Sequence, residues 1–379
     1  MKYFLIAGEA SGDLHASRLM TAILRHDTDA EFRYYGGDAM QDVGGILLRH
    51  YSTLAYMGLV QVVRHLPAIL RGMKQCREHI REWQPDCVIL VDYPGFNLKM
   101  AKWVKRHMHI PVYYYIAPKV WAWKEGRVRL IRKYVDRVFS ILPFEVDFFR
   151  RRGYEVDYVG NPSLDEVEAW LAKHPLTDSR NTILLMPGSR EAEVRVNLPR
   201  MLEAVRGMGE YDIVVSHAPH LPAQLYSQIA EENAETLRLR AGASHIRLSA
   251  SPSFELLHGA VAALVTSGTA TLETALFGVP QVVCYYIRGG WALRLVRRLF
   301  LKVPFVSLVN LIAGREVVPE LIGPDMRPEH VLRHLLTILP SGERREDMMR
   351  GYEELRQRLG TTSAPERAAS LICRSLYVQ

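Results

Sequence analysis

Cysteine is scarce in this chain of 379 residues: Cys76, Cys87, Cys284 and Cys373 are widely spaced, with no C-x-x-C pair. That spacing excludes a disulfide framework and a cysteine zinc ribbon, and it fits a reducing cytosol. Long apolar runs are missing as well, and none approaches the ~18 residues of a membrane-spanning helix. Tyr3–Ala7 is the one stretch suited to a secretory core, but Glu9 and Asp13 follow so closely that no signal peptide is expected. The sequence has no internal repeat and no low-complexity tract. It lacks both the Lys-Ser/Thr ending of a P-loop and a G-x-G-x-x-G turn, so neither ATP hydrolysis nor nicotinamide chemistry is supported. His107-x-His109 and His217-x-x-His220 have ligand-like spacing but no neighbouring cysteines or paired carboxylates, and no metal and no cofactor is expected.

What is present suits a cytoplasmic globular protein of two domains. Hydrophobic residues make up 48% and charged residues 23%, which excludes a disordered tail or a fibrous repeat. Lys and Arg number 48 against 41 Asp and Glu, a net charge of +7 that favours anionic partners: nucleic acid, a nucleotide phosphate or a membrane face. The basic clusters are interleaved with apolar residues, as on solvated helix faces, rather than gathered in a tail.

Strand and helix patterns alternate twice along the chain. Tyr3–Ala7, Phe32–Tyr35, Cys87–Val91, Val112–Ile116, Arg137–Leu142 and Val156–Val159 read as strands, with a helix over Leu14–Leu24. Residues 161–181 read as a linker with one helix. A second series follows at Thr182–Met186, Asp212–Ser216, Ile246–Leu248, Val261–Thr266 and Gln281–Tyr286. Several runs lack polar alternation, as in parallel sheets covered on both faces. The fold class expected is therefore α/β: two doubly wound Rossmann-like lobes with a cleft between them, ligands lying beyond the strand carboxyl ends. The domains expected are 1–165, 178–345 and a helical tail, 350–379; the last third of the chain reads as helical. Whether that tail packs on its own N-terminal lobe or on a second copy, as in a homodimer, is open at this point.

Chemistry gathers at the strand ends. In Val265-Thr266-Ser267-Gly268-Thr269-Ala270-Thr271-Leu272-Glu273, a buried strand turns through small residues into a helix. Free amides at the helix start, with about half a positive charge, favour a phosphate. Glu273, one turn in, is within reach of a ribose; a capping-box role is disfavoured because Ala270 has no hydroxyl. Pro187-Gly188-Ser189-Arg190 ends another strand, where Arg190 suits a diphosphate or a leaving-group charge. An ordinary turn with a surface arginine reads almost as well. Gly8-Glu9-Ala10-Ser11-Gly12-Asp13 follows the first strand, with polar groups suited to an acceptor, though Asp13 equally reads as a helix cap. Asp92 ends the run Cys87–Val91 as either a general base or a turn former before Pro94-Gly95. Two amphipathic stretches suit a bilayer surface as well as a core: Met57–Leu70, with Leu59, Val62, Val63 and Leu66, and Trp291–Lys302, with Trp291, Arg294, Arg297 and Arg298.

Taken with Tyr115-Ile116-Ala117-Pro118, Val120-Trp121-Ala122-Trp123, Leu142-Pro143-Phe144-Glu145, Asn310-Leu311-Ile312-Ala313-Gly314 and Val318-Pro319-Glu320-Leu321, these motifs closely resemble the lipid-A-disaccharide synthase family over nearly the whole chain. Those enzymes are inverting glycosyltransferases of the GT-B fold. The resemblance implies transfer of 2,3-diacylglucosamine from its UDP donor to the 6-hydroxyl of lipid X, at the cytoplasmic surface of the inner membrane of a Gram-negative bacterium. It implies Asp92 as the base and Arg190 as the charge-offsetting group. Ser189, Ser267, Gly268, Thr269, Ala270, Glu273 and Asn310 would hold UDP, and Glu9, Ser11 and Asn161 would line the acceptor side. Gly160-Asn161-Pro162 departs from the family pattern, which has histidine at the position of Asn161. The alternatives are another UDP-GlcNAc enzyme of the same fold, either a transferase to a polyprenyl-linked acceptor or an epimerase, and a basic membrane- or RNA-binding module. The RNA module leaves Glu273 and Arg190 without a purpose, so no nucleic-acid partner is expected.

Overall fold

The computed structural model of the protein describes residues 1–53, 66–122, 125–175, 181–232, 246–286 and 304–377. Contacts divide the chain into two units, Met1–Pro162 with Thr361–Gln379, and Ser163–Gly360. Each is a doubly wound, Rossmann-like α/β lobe around one parallel sheet.

The first unit holds β1 (Lys2–Ala7), β2 (Glu31–Gly36), β3 (Ile46–His50), β4 (Cys87–Val91), β5 (Val112–Tyr115), β6 (Arg137–Ser140) and β7 (Asp157–Tyr158). Their order is β3-β2-β1-β4-β5-β6-β7. Every residue of β4 is fully buried, as an apolar run sandwiched on both faces must be. The alternation of side chains sorts Phe4, Ile6, Val88 and Leu90 into one core and Tyr3, Leu5, Cys87 and Ile89 into the other. Strand order reverses between β1 and β4, and the register Ala7↔Val91 brings the residues after both strands together at this switch point.

The second unit holds β8 (Thr182–Met186), β9 (Asp212–Ser216), β10 (Ile246–Ser249), β11 (Ala260–Val265), β12 (Gln281–Tyr285) and β13 (Glu320–Ile322). The order is β10-β9-β8-β11-β12-β13, so the reversal lies between β8 and β11. There the register Val265↔Met186 sets the Pro187 and Thr266 turns side by side.

Two edge strands escape the sequence pattern. β3 is only partly buried, its apolar run stops after Ile46-Leu47-Leu48, and β13 is three residues long within the stretch expected to be helical. Partial burial and brevity are how edges are kept from pairing with other chains, and they erase the periodic signal too. The linker region carries the helix Pro162–Leu171, whose Trp170 packs on Phe254 and Phe277 of the second unit.

The helical tail divides between the units. Helix Arg345–Leu359 belongs to the second, where the Tyr352 hydroxyl donates to the Val279 carbonyl at 3.1 Å. Helix Ala364–Tyr377 belongs to the first and packs on the helix Ala10–His26 of the same chain. Its Ser375 hydroxyl bonds Tyr113 of β5, and Glu366 pairs with Arg25. The chain enters this helix across Gly160, at φ +105°, where an added Cβ would lie 2.0 Å from the Thr362 carbonyl oxygen. Gly160→Ala should therefore destabilise the protein by at least about 1–3 kcal/mol from backbone strain alone. Urea denaturation measures this; an unchanged midpoint would mean the crossing is not tight.

Candidate active site

In the first unit the chemistry lies just past β1 and β4. Gly8 is required by its neighbour: a Cβ there would stand 2.3 Å from the Tyr93 ring. Glu9 is the N-cap of the helix Ala10–His26, and Ser11 is exposed in its first turn. Asp13 turns away. Its buried carboxylate accepts from the amides of Gly37, Ala39 and Met40 at 2.6, 3.0 and 3.3 Å, capping the helix Asp38–Val43 rather than its own.

Asp92 and Tyr93 both sit in the left-handed region, at φ +43° and +44°. Two such residues in succession, neither a glycine, constitute stored strain, and specific hydrogen bonds hold it. The Asn97 side-chain amide, fully buried, donates to the carbonyls of Ile6, Val91 and Asp92 at 3.4, 3.2 and 2.8 Å, and the Tyr114 hydroxyl also donates to Asp92 O. Burial raises the Asp92 pKa above the usual carboxylate value, while the Lys119 ammonium and the Tyr93 amide oppose that rise. Asn161 departs from the acceptor lining expected of it: it is buried, and its amide donates to the Ile141 carbonyl at 2.9 Å.

In the second unit the Pro187–Arg190 turn is occupied by the protein itself. The Glu193 carboxylate accepts from the Ser189 and Arg190 amides, each at 3.3 Å, and from the Arg190 guanidinium at 2.8 Å. Gly188, at φ +118°, leaves room for it, since a Cβ would lie 2.6 Å from Glu193 Oε2. The Ser189 carbonyl is within 2.7 Å of His220 Nε2. The Arg190 side chain is exposed, with its guanidinium paired to Glu193.

The other turn is open. Gly268 and Thr269 are exposed at the start of the helix Thr269–Leu276, and a Cβ on Gly268 would meet nothing within 4 Å. Helix geometry leaves the first amides of this helix without intrahelical partners. Ser267 instead anchors the turn, donating to the Val306 carbonyl at 3.0 Å. One turn in, burial and the nearby Glu166 push the Glu273 pKa up to about 7.

Asn310 does not line this opening. It is fully buried, its amide donates to Val318 O at 2.8 Å and Glu320 Oε1 at 2.9 Å, and its oxygen accepts from Val317 and Val318. All its hydrogen-bonding capacity is used inside the protein, so the expected UDP contact is replaced by a structural one. Glu320 works beside it, accepting from the Val306 and Ser307 amides at 2.9 Å each and so fixing the loop on which Ser267 leans.

Several residues that carry the site had no role assigned from sequence. Asn197, fully buried, donates to the Pro187 carbonyl and the Thr266 hydroxyl, both at 3.1 Å, and accepts from the Tyr286 amide at 2.9 Å. It thus ties the ends of β8, β11 and β12. A lone polar residue on an apolar helix face was the only signal for it, as for Asn97. Trp121 and Glu145 stood in family motifs without a function of their own; the indole Nε1 donates to Glu145 Oε1 at 2.8 Å. Leu59, Val62, Val63, Trp291, Arg294, Arg297 and Arg298 lie outside the described residues, as does the side chain of Leu66, which opens the helix Leu66–Trp83. Among the described residues no helix is long and apolar enough to cross a membrane, and no group of three or more His, Cys, Asp or Glu could hold a metal.

The family model for lipid-A-disaccharide synthetase matches residues 3–372. The lipid-A-disaccharide synthase of Myxococcus xanthus is 39% identical, covering 98% of this chain and 96% of its own. That of Geobacter sulfurreducens is 34% identical, covering 100% and 98%. Among solved structures, the UDP-GlcNAc 2-epimerase from Neisseria meningitidis bound to UDP-GlcNAc superposes with a TM-score of 0.64 at 12% identity, covering all of both chains. The S. aureus MnaA-UDP co-structure gives 0.66 at 14%, covering 100% and 97%. At such identities these likenesses establish the fold.

Replacing Asn310 by Ala strands two buried amides and should cost about 3 kcal/mol or more in chemical denaturation. Unchanged stability with weakened UDP binding would return Asn310 to the ligand surface.

Proposed function

The chain belongs to the lipid-A-disaccharide synthetase family, and on that premise we propose how its residues divide the work. The reaction is the family's: the chain is an inverting glycosyltransferase of lipid A biosynthesis. It moves 2,3-diacylglucosamine from UDP to the 6-hydroxyl of lipid X, giving the β-1′,6-linked disaccharide and UDP. Inversion by one displacement requires a base for the acceptor hydroxyl and a grip on the departing diphosphate.

Asp92 is the base. Burial raises its pKa, which makes it a stronger proton acceptor than a solvated carboxylate, and Lys119 opposes that rise. Glu9 and Ser11, at the neighbouring strand end, face the acceptor. The diphosphate is held at the start of the helix Thr269–Leu276, by Ser267, Gly268, Thr269 and Ala270. The Ser189 amide contributes less, because Glu193 already fills it, and Arg190 would exchange its Glu193 partner for the charge on the departing diphosphate. Glu273 takes the ribose hydroxyls.

The observation that carries this reading is the pairing of an open, unobstructed helix start at Gly268 with a desolvated carboxylate one turn below it. Ribose hydroxyls would return to Glu273 the hydrogen bonds that burial removed. We further place the enzyme in the cytoplasm, peripherally on the inner membrane: both of its substrates carry acyl chains, and Met57–Leu70 and Trp291–Lys302 have the amphipathic pattern of interfacial segments.

Asp92→Asn should lower kcat by about 10²–10⁴-fold and leave UDP affinity within about twofold; a rate near wild type removes Asp92 from the chemistry. The ribose favours ionised Glu273, so UDP affinity should fall about tenfold as pH drops from about 8 to about 6, through the raised pKa. In Glu273→Gln that part of the fall should vanish. Calorimetry on both proteins measures it, and identical pH profiles would refute the ribose contact.

A further inference from the structure

Glu193 stands in the first turn of the helix Glu191–Ala204, just past the Pro187–Arg190 turn, and the base-and-diphosphate scheme gives it no task of its own. Its two oxygens divide their contacts. Oε2 accepts from the Ser189 and Arg190 amides at 3.3 Å each, and Oε1 accepts from Arg190 Nη1 at 2.8 Å. Capping the helix would need only the Arg190 amide. The Ser189 amide and the guanidinium are additional, and together they make a binding pocket for one anion, which Glu193 fills. The pocket is rigid on its backbone side. His220 Nε2 donates to the Ser189 carbonyl at 2.7 Å, fixing the same peptide unit whose N–H meets Glu193. Asn197 binds the Pro187 carbonyl and the Thr266 hydroxyl, which pins this turn beside the one that leads to Gly268. Gly188 clears the space, since a Cβ there would lie 2.6 Å from Oε2. The guanidinium side is looser: the Arg190 side chain is 69% exposed, against 15% for Glu193.

We propose that Glu193 is a positioning residue for product release: anchored on the two amides through Oε2, it takes the Arg190 guanidinium back from UDP through Oε1. This rests on the reading of Arg190 as the contact to the departing diphosphate and adds how that contact ends.

The need for such a residue follows from the chemistry of the transfer. The acceptor oxygen bonds to the anomeric carbon and gives its proton to Asp92. The bond from that carbon to the β-phosphate oxygen breaks, and its electron pair stays on the phosphate. A guanidinium that stabilises the growing charge therefore holds the finished UDP more tightly than it held the donor. Unless another anion competes for it, the contact that favours bond breaking also retards release. Glu193 is that anion, and it sits on the arginine in the protein without ligand. Because Oε2 and the backbone keep the carboxylate in place, the exchange needs only the exposed Arg190 side chain to swing. The competition lowers UDP affinity by the fraction of time that Arg190 spends on Glu193. The phosphates stay at the start of the helix Thr269–Leu276, and the two amides stay on Glu193 throughout.

The test is UDP binding by calorimetry, with product inhibition as a second readout, in full-length variants. Glu193→Gln can keep its carbonyl oxygen on the two amides but turns an NH2 group towards Arg190, so the cap survives and the competition ends. It should bind UDP about fivefold more tightly, and inhibition by UDP should strengthen by the same factor. Glu193→Ala should tighten binding as well. Damage to the turn or to the helix cap would weaken binding, so a merely structural Glu193 cannot produce this gain. In an Arg190→Met background the gain from Glu193→Gln should vanish. Unchanged or weaker UDP binding in both Glu193 variants overturns the inference. So does a gain that persists in full without Arg190, which would reduce Glu193 to simple charge repulsion. Arg190→Met alone separates the two claims. If it binds UDP as the wild type does, the reading of Arg190 fails first; if it binds UDP more weakly while Glu193→Gln changes nothing, only the release role of Glu193 fails.

Discussion

A parallel sheet ends in carbonyls that the next strand does not reach, and both lobes meet that constraint with one buried asparagine at the switch point. Asn97 collects the ends of β1 and β4, and Asn197 those of β8, β11 and β12. An amide is the side chain suited to this, since it offers two donors and carries no charge to desolvate, and in Asn197 its oxygen accepts as well. Each stands on the helix that follows one of the strands it ties, so strand, turn and helix lock as a unit. The functional turns inherit their placement from these locks. The Asp92 carbonyl is bound by Asn97, and the Thr266 hydroxyl before Ser267 is bound by Asn197.

With the backbone fixed, the two lobes use their strand ends differently. The first concentrates strain, with Asp92, Tyr93 and Ile116 all left-handed, and uses it to present a desolvated carboxylate. The second concentrates small residues and leaves the Gly268 turn open, while Glu193 closes the Ser189 turn with its own carboxylate. Of the two sequence motifs suited to an anion, the stronger, at Gly268, is the open one, while Glu193 occupies the amides of the other. Glu320 and Asn310 stabilise that open turn from behind through Val306.

Much of this was legible in the residues. Fully buried parallel strands such as Cys87–Val91 and Ala260–Val265 announce themselves as unbroken apolar runs, and small-residue turns mark the strand ends where ligands bind. What escaped detection depends on long-range partners. Asp13 looked like a cap for its own helix, but its partners are 24 to 27 residues away. Asn310 looked like a ligand contact because a motif gives residue types without saying which way they face. Glu145 and Trp121 are separated by 24 positions, and only the fold shows them bonded. Edge strands β3 and β13 were missed for the same reason: their identity comes from a neighbour rather than from their own pattern.

The central claim is that the amides at the start of the helix Thr269–Leu276 grip the diphosphate while Glu273 holds the ribose. A crystal structure of the enzyme soaked with UDP tests it directly. The account requires phosphate oxygens within hydrogen-bonding distance of the Thr269 or Ala270 amides and ribose hydroxyls on the Glu273 carboxylate. Uridine bound with its phosphates on the Ser189 turn, or with Glu273 left untouched, would contradict it.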